Sequence, residues 1–381
     1  MPPNVFIPLT LVASVVLPCL ALFVFRSKIT STRQIEDMNA RLGVPRARRR
    51  TAAAIVFLFI VASTLLHLQS SALDQSPHDR DTITEKVNWA DFAYTQYVTN
   101  TNYLCNSVML FETLHRLKSK ADRLMLYPDS FSTEQDSLEG SLLRKARDNY
   151  GVKLIPVQVQ LREGVEFTWK ESYTKLLVFN QTQYKRVLQL DSDATILQPM
   201  DELFLLPPSP VAMPRAYWLG PDDHMLAVHV LLAQPSKSEF NRVMAAVSDA
   251  GSSEYDMEIL NRLYNNTAQI LPHRGYALLT GEFRLKSHSD YLGNGVEIFD
   301  PEKILQETKY LHFSDWPVSK PWFRTNPRNI QLTQPACDMD PATGRTDCRA
   351  RDIWLGLYED FATRRKNVCG LDLEDKKAKR V

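Results

Sequence analysis

The sequence predicts an α/β fold built on a mainly parallel sheet, and three observations carry that prediction. Short apolar runs alternate with segments of helical spacing from Phe92 to Phe179. One later run, Lys185 to Leu190, ends on a carboxylate pair, Asp191-Ser192-Asp193. In an open α/β sheet, the carboxyl ends of the strands are where ligands bind. The first 68 residues, finally, form a separate and far more apolar region, so the fold begins well inside the chain.

That leading region reads as a membrane anchor. Val5 to Phe25 carries no charge, and neither does Thr51 to Leu66. Each approaches the ~20 residues that cross a bilayer, which predicts helices over about 5–25 and 51–68. Residues 26–50 between them hold eight basic and two acidic side chains. The positive-inside rule puts that loop in the cytosol and the rest of the chain in the lumen or outside. A single anchor using only the second segment gives the same orientation. The first segment has no basic leader, which argues against a cleaved signal peptide. Residues 69–86 are polar and read as a stalk. Residues 87–371 then suit a lumenal α/β domain, and the charged tail 372–381 is expected to be disordered. With a formal net charge of +1, no global field argues for nucleic acid.

Taken in order, Phe92 to Thr99 predicts a first strand, and Leu104, Val108, Phe111 and Leu114 trace a helix face after it. Arg123 to Tyr127 and Val152 to Val157 predict two more strands around a charged helix at Ser141 to Tyr150. Glu171 to Phe179 reads as helical ahead of the strand that ends at Asp191. Val228 to Ala233 predicts a buried strand. Ser236 to Glu239 has a capping-box pattern, and Phe240, Val243, Met244 and Val247 come after it on one helix face. A further helix starts near Glu254, and Lys309 to Phe313 reads as a strand carrying His312. Cys105, Cys337, Cys348 and Cys369 allow two disulfides in an oxidising lumen, Cys337 with Cys348 being the local choice. Asn180 and Asn265 head N-x-T sequons.

The chemistry gathers at a few positions. If Asp191 to Asp193 continues extended, both carboxylates share a face and offer hard oxygen ligands to a divalent cation. An imidazole from His312 would complete a mixed set that suits Mn²⁺. Thr99, Asn100 and Tyr103 stand where a strand hands over to a helix, a junction that suits a nucleotide and equally suits plain helix capping. Asp256 at a helix start fits either a dipole partner or an acid that orients substrate. Lys320, before Pro321-Trp322, suits a diphosphate as a point charge.

These pieces, in this order, resemble a family 8 glycosyltransferase, the glycogenin-like group. The family's opening resembles Thr99, Asn100 and Tyr103, and its helix before the metal strand resembles Thr174-Lys175-Leu176. Its metal motif resembles Asp191 and Asp193, and the stretch beyond that motif resembles Met200 to Phe204. Asp256 to Asn261, His312 and Lys320-Pro321-Trp322 match the later motifs in register. The likeness is strongest to the fungal glucose N-acetyltransferase branch, the Golgi α-N-acetylglucosaminyltransferases, through Tyr103 to Ser107, Leu278 to Phe283, His312 to Pro317 and Arg351 to Gly356. It implies a single Rossmann-like nucleotide-sugar domain of the GT-A type, a UDP-sugar donor, Mn²⁺, retention of anomeric configuration, a glycan or glycoprotein acceptor, and a Golgi membrane location with the domain in the lumen. Residue by residue, it implies Mn²⁺ on Asp191, Asp193 and His312, the donor on Thr99, Asn100, Tyr103, Lys175 and Ser192, and catalytic roles for Asp256 and Lys320. The chain departs from the pattern at Ala227-Val228-His229, where Asn-Ser-Gly is usual, at Met257 for Gln, and at Asp315 for Gly, with two extra residues before Lys320. A transferase for UDP-glucose or UDP-galactose, or a non-catalytic glycan-binding scaffold, is the alternative reading.

Overall fold

The computed structural model describes residues 87–161, 171–339 and 344–375. The described residues from Asn88 on belong to one compact unit. The expected membrane helices, basic loop and stalk lie outside the described residues. Among those residues, no helix is long and apolar enough to cross a membrane.

The first half alternates as its sequence pattern requires. Strand β1 (Phe92–Tyr97) leads into helix α1 (Thr101–Arg116), β2 (Asp122–Pro128) into α2 (Leu138–Tyr150), and β3 (Val152–Val157) comes next. Each helix starts on a side-chain cap. Asn100 accepts from the Asn102 and Tyr103 amides, and Ser137 from Gly140, so donors that the helix leaves unpaired are satisfied. Helix α2 stops at Gly151, whose φ of 65° is one that glycine adopts without a Cβ clash. The segment expected to be helical before the acid pair is a 3-10 helix, Ser172–Asn180.

Strand β4 (Arg186–Leu190) is buried along its whole length. Beyond it come β5 (Ala194–Ile196), β6 (Val211–Pro214), β7 (Val230–Ala233), helices α3 (Lys237–Ser248) and α4 (Asp256–Tyr264), then β8 (Gln269–Leu271), β9 (Leu278–Leu279) and β10 (Tyr310–His312). Ser236 caps α3 by accepting from Glu239. Glu239 turns to Arg242 and Tyr264 for its own hydrogen bonds.

Seven strands form one sheet in the order β3-β2-β1-β4-β7-β6-β8. The four from β3 to β4 are parallel, β7 runs antiparallel to both β4 and β6, and β8 is parallel to β6. The sheet is therefore mixed, with the expected parallel half and a reversal at β7. Because β7 is reversed, its start lies beside the end of β4. A second sheet, β5-β10-β9, has β10 antiparallel to β5 and parallel to β9. Apolar residues from both faces of the large sheet are buried in two clusters, against α1 and α2 on one side and against the 3-10 helix, α3 and α4 on the other.

Two disulfides close the unit. Cys337–Cys348 joins near neighbours as expected, and Cys105–Cys369 ties α1 to the chain's last described turn across 264 residues. One expectation is corrected here. The first part of the charged tail is ordered: Glu374–Asp375 pairs with Phe323–Arg324, and Glu374 bonds to Asn102 and Arg365. Opposite charges and a free strand edge hold a segment that its composition alone marks as unstructured. Residues 376–381 lie outside the described ones.

Candidate active site

The acid pair lies in a bend between β4 and β5, not in a continuous strand. The expectation of a shared strand face is corrected accordingly, since the bend, not the pleat, aims the carboxylates. Tertiary pairing then brings the third group. Strand β10 lies antiparallel to β5 with His312 opposite Ala194, and the Phe313 amide donates to the Asp193 carbonyl at 2.8 Å. Asp191, Asp193 and His312 each offer a ligand atom, and these atoms lie within 4.8 Å of one another. His312 Nε2 is 3.1 Å from Asp193 Oδ1, while its Nδ1 is buried with no protein partner.

Two lysines balance this charge. Lys320 Nζ donates to Asp193 Oδ2 at 2.5 Å and to the Phe313 carbonyl at 3.1 Å. Lys175 is fully enclosed, donating to Asp256 Oδ2 at 2.6 Å and lying 2.9 Å from Asp191 Oδ1. Burial alone would lower the Lys175 pKa, but the Asp191 and Asp256 carboxylates outweigh it and hold the ammonium above the ordinary lysine value. Burial raises Asp191 against the pull of Lys175, with repulsion from Asp193 adding to the rise. At Asp193 burial is overcome by Lys320 and His312, which keep the carboxyl well below the usual range. Asp193 is thus an anion at neutral pH already pressed against a cation.

These side chains line a cleft of about 520 Å³ at the carboxyl ends of β1 and β4. Thr99, Tyr103, Lys175, Asp191, Asp193, Asp256, His312 and Lys320 all face it, so eight of the ten predicted residues converge. Asn100 and Ser192 do not line it. Asn100 spends its side-chain oxygen capping α1, and Ser192 is buried in the bend. Tyr103 packs edge-on against Trp322, 5.2 Å between ring centres, which fixes one wall. A larger cavity of about 650 Å³, around Phe283, His288 and Phe299, contains none of the predicted residues.

Several groups in and around the cleft were given no role by the sequence. Trp218 lines the cleft from the segment after β6, and Tyr310 donates to the Asp191 carbonyl at 2.9 Å. His229 stacks parallel to His312, with ring centres 5.1 Å apart. Burial, then the nearby His312 and Lys175, push its pKa well below the ordinary histidine value, so its ring is neutral. Asp315 accepts from Arg284 Nη1, from Trp354 Nε1 at 2.5 Å and from Tyr358 at 3.2 Å, which anchors the loop between His312 and Lys320. Only a spatial map exposes these, because their partners lie on distant elements.

The donor set fits a divalent cation. Two carboxylates and an imidazole suit a hard-to-borderline ion, and His312 keeps a buried nitrogen without a partner. A lysine already sits against the carboxylate that such an ion would share.

No family model matches the chain. Among curated relatives, glucose N-acetyltransferase 1 of Gibberella zeae is 52% identical over 290 residues, covering 74% of this chain and 63% of its own length. The chain thus spans less than two thirds of that relative. The protein of the same name from Aspergillus fumigatus is 44% identical, covering 74% of this chain and 78% of its own. Among solved structures, the glycosyltransferase GlyE of Streptococcus pneumoniae aligns with a TM-score of 0.46 at 15% identity, covering 76% of this chain and 66% of its own.

Proposed function

This chain belongs to the glucose N-acetyltransferase 1 family, and on that premise we propose that it is a retaining glycosyltransferase of the GT-A type, glycogenin-like in its donor site. It moves a sugar, N-acetylglucosamine by preference, from a UDP-sugar to a glycan or glycoprotein acceptor with Mn²⁺. One observation carries the reading: two acids and an imidazole converge at the carboxyl edge of the parallel half of the sheet, where an open α/β sheet binds its ligand, with Lys320 beside them. In the same reading, residues 1–68 anchor the chain in a Golgi membrane with the cleft in the lumen, which the two uncharged N-terminal segments and the basic loop between them support.

Asp191, Asp193 and His312 would hold the ion, which supplies positive charge for a departing diphosphate. Lys320 is placed to share that load, since its ammonium is partly exposed and can move from Asp193 to a phosphate oxygen. Thr99 and the Tyr103 ring wall the end of the cleft that takes the uridine. Lys175 lies between Asp191 and Asp256 and acts on the donor through them. Asp256 is bound by that ammonium, which makes it a weak nucleophile and a good hydrogen-bond acceptor. The acceptor hydroxyl therefore attacks from the face that the diphosphate leaves, and a diphosphate oxygen takes its proton. Asp256 orients the sugar.

A donor-by-metal screen of the purified chain tests this by UDP release. Release from UDP-N-acetylglucosamine with Mn²⁺, lost with chelator, is the expected result. Failure of every UDP-sugar with Mn²⁺ overturns it in favour of a non-catalytic role.

A further inference from the structure

Residues 372–375 have no part in the site as described, yet they join two elements that bound it. Glu374–Asp375 runs parallel to Phe323–Arg324. The Glu374 amide donates to the Trp322 carbonyl at 2.9 Å, and Asp375 pairs with Arg324 at 2.9 Å. On its other side, the Glu374 carboxylate accepts from Asn102 Nδ2 at 3.1 Å. Asn102 is in the first turn of α1, next to Tyr103. Ordering a charged segment costs conformational entropy, and the Glu374 contacts that offset it lead to these two elements.

A buried guanidinium closes the link. Arg365 is fully enclosed. Its Nη2 donates to Asn102 Oδ1 at 2.6 Å and lies 3.4 Å from Glu374 Oε1, and its Nε donates to the Asp372 carbonyl at 3.3 Å. Asn102, Arg365 and Glu374 are therefore bonded pairwise in a triangle. The Asn102 amide has its oxygen on a cation and its nitrogen on an anion, so its orientation is fixed. The Cys105–Cys369 disulfide holds the neighbouring turn against α1. An enclosed guanidinium is costly without its carboxylate, which keeps Glu374 in place.

The triangle fixes one end of the cleft. Tyr103 lines the cleft and packs edge-on against Trp322, with ring centres 5.2 Å apart. Trp322 is buried and lies two residues after Lys320, in a turn closed by the Phe323 amide on the Lys320 carbonyl at 2.9 Å. The position of that turn against α1 sets both the Tyr103–Trp322 contact and the point from which Lys320 reaches the cleft. We infer that Glu374 is a positioning residue for the nucleotide: through Asn102 and the Trp322 carbonyl it holds α1 and the Lys320 turn at the spacing a nucleoside diphosphate needs. This rests on the nucleotide-sugar reading above. Asp191, Asp193 and His312 lie on the bend after β4 and on β10, which this segment does not pair with, so the effect falls on the nucleotide and not on the ion.

The test measures two affinities by calorimetry in the full chain: Mn²⁺ alone, and UDP at saturating Mn²⁺. In Glu374→Ala, UDP binding weakens about 3–10-fold, the effect of one lost hydrogen bond, while Mn²⁺ binding stays within about twofold. Glu374→Gln, which keeps acceptor oxygen for Asn102 and Arg365, recovers part of that loss. Thermal unfolding without ligand identifies a folding defect. If Glu374→Ala unfolds early, Asn102→Ala takes its place, since it cuts the same link and keeps the Arg365–Glu374 pair, and the same split is expected. Unchanged UDP affinity in a folded variant, or equal weakening toward UDP and Mn²⁺, overturns the inference. So does a Glu374→Gln variant that binds UDP no better than Glu374→Ala. If the wild-type chain binds no UDP, the nucleotide-sugar reading falls first and takes this one with it. If the wild type binds UDP and the variants match it, the reading stands and the role of Glu374 does not.

Discussion

Replacing Lys175 with Met removes the charge and keeps most of the volume. In the folded protein, this ammonium lies 2.6 Å from Asp256 and 2.9 Å from Asp191, with its side chain 2% exposed. At an effective dielectric of about 20, each contact contributes roughly 6 kcal/mol of attraction before desolvation is counted. Most of that offsets the cost of burying three charges, so the gross figure is not the loss. Losing one member of a buried pair costs about 3–5 kcal/mol, because the surviving carboxylates are left uncompensated. At about 2 °C per kcal/mol for a domain of this size, the melting midpoint falls by about 6–10 °C. The assay is thermal unfolding monitored by circular dichroism in chelator, with wild type and Lys175→Arg beside it. Added Mn²⁺ should restore part of the loss, since an ion that binds only the folded state stabilises it. A Lys175→Met chain that melts within about 1 °C of wild type in chelator refutes the buried-triad account.

The same geometry sets other outcomes. Asp193→Asn removes a carboxylate that Lys320 and His312 both contact, so Mn²⁺ affinity measured by calorimetry should fall at least tenfold, and UDP release with it. Lys320→Ala should leave folding intact, its side chain being 39% exposed, and weaken UDP binding by about 1.5–3 kcal/mol, the worth of a charged hydrogen bond. Unchanged UDP affinity would remove Lys320 from the diphosphate. Replacing both Cys105 and Cys369 with Ser releases a loop of 264 residues and should cost about 4 kcal/mol in denaturant unfolding. Equal midpoints for that variant and wild type under oxidising conditions would mean the bond does not form.

The parts of the site legible beforehand were those with a local rule behind them. Period-two and period-3.6 patterns placed β1, β2, β3 and β4 closely and gave α1 and α4 their starts. Asp191 and Asp193 stood out because a strand ended on them, and His312 because it closed a short apolar run. Asn100 shows the limit of such reading. Its position at a strand–helix junction suits a ligand and a cap equally, and the structure uses it as the cap. The charged tail misled for a related reason: composition reports what a segment does alone, while Arg365 and the Phe323–Arg324 edge supply partners from elsewhere.

By itself, then, the sequence determined the alternation of elements, the acid pair at a strand end and the chemistry that the pair can do. Each of these comes from backbone periodicity or side-chain type within a few residues. Tertiary structure alone decided that β7 reverses, that β5 and β10 pair, and that Lys175 lies between two acids. His312 meets Asp193 across 119 residues and Asp315 meets Trp354 across 39. Contacts of that span depend on which surfaces bury best against each other, and that preference belongs to the packed whole and leaves no pattern in any one stretch of chain. His229 is the plainest case: the sequence marks it only as a departure from the family's pattern, and the reversed strand is what sets it beside the acid pair.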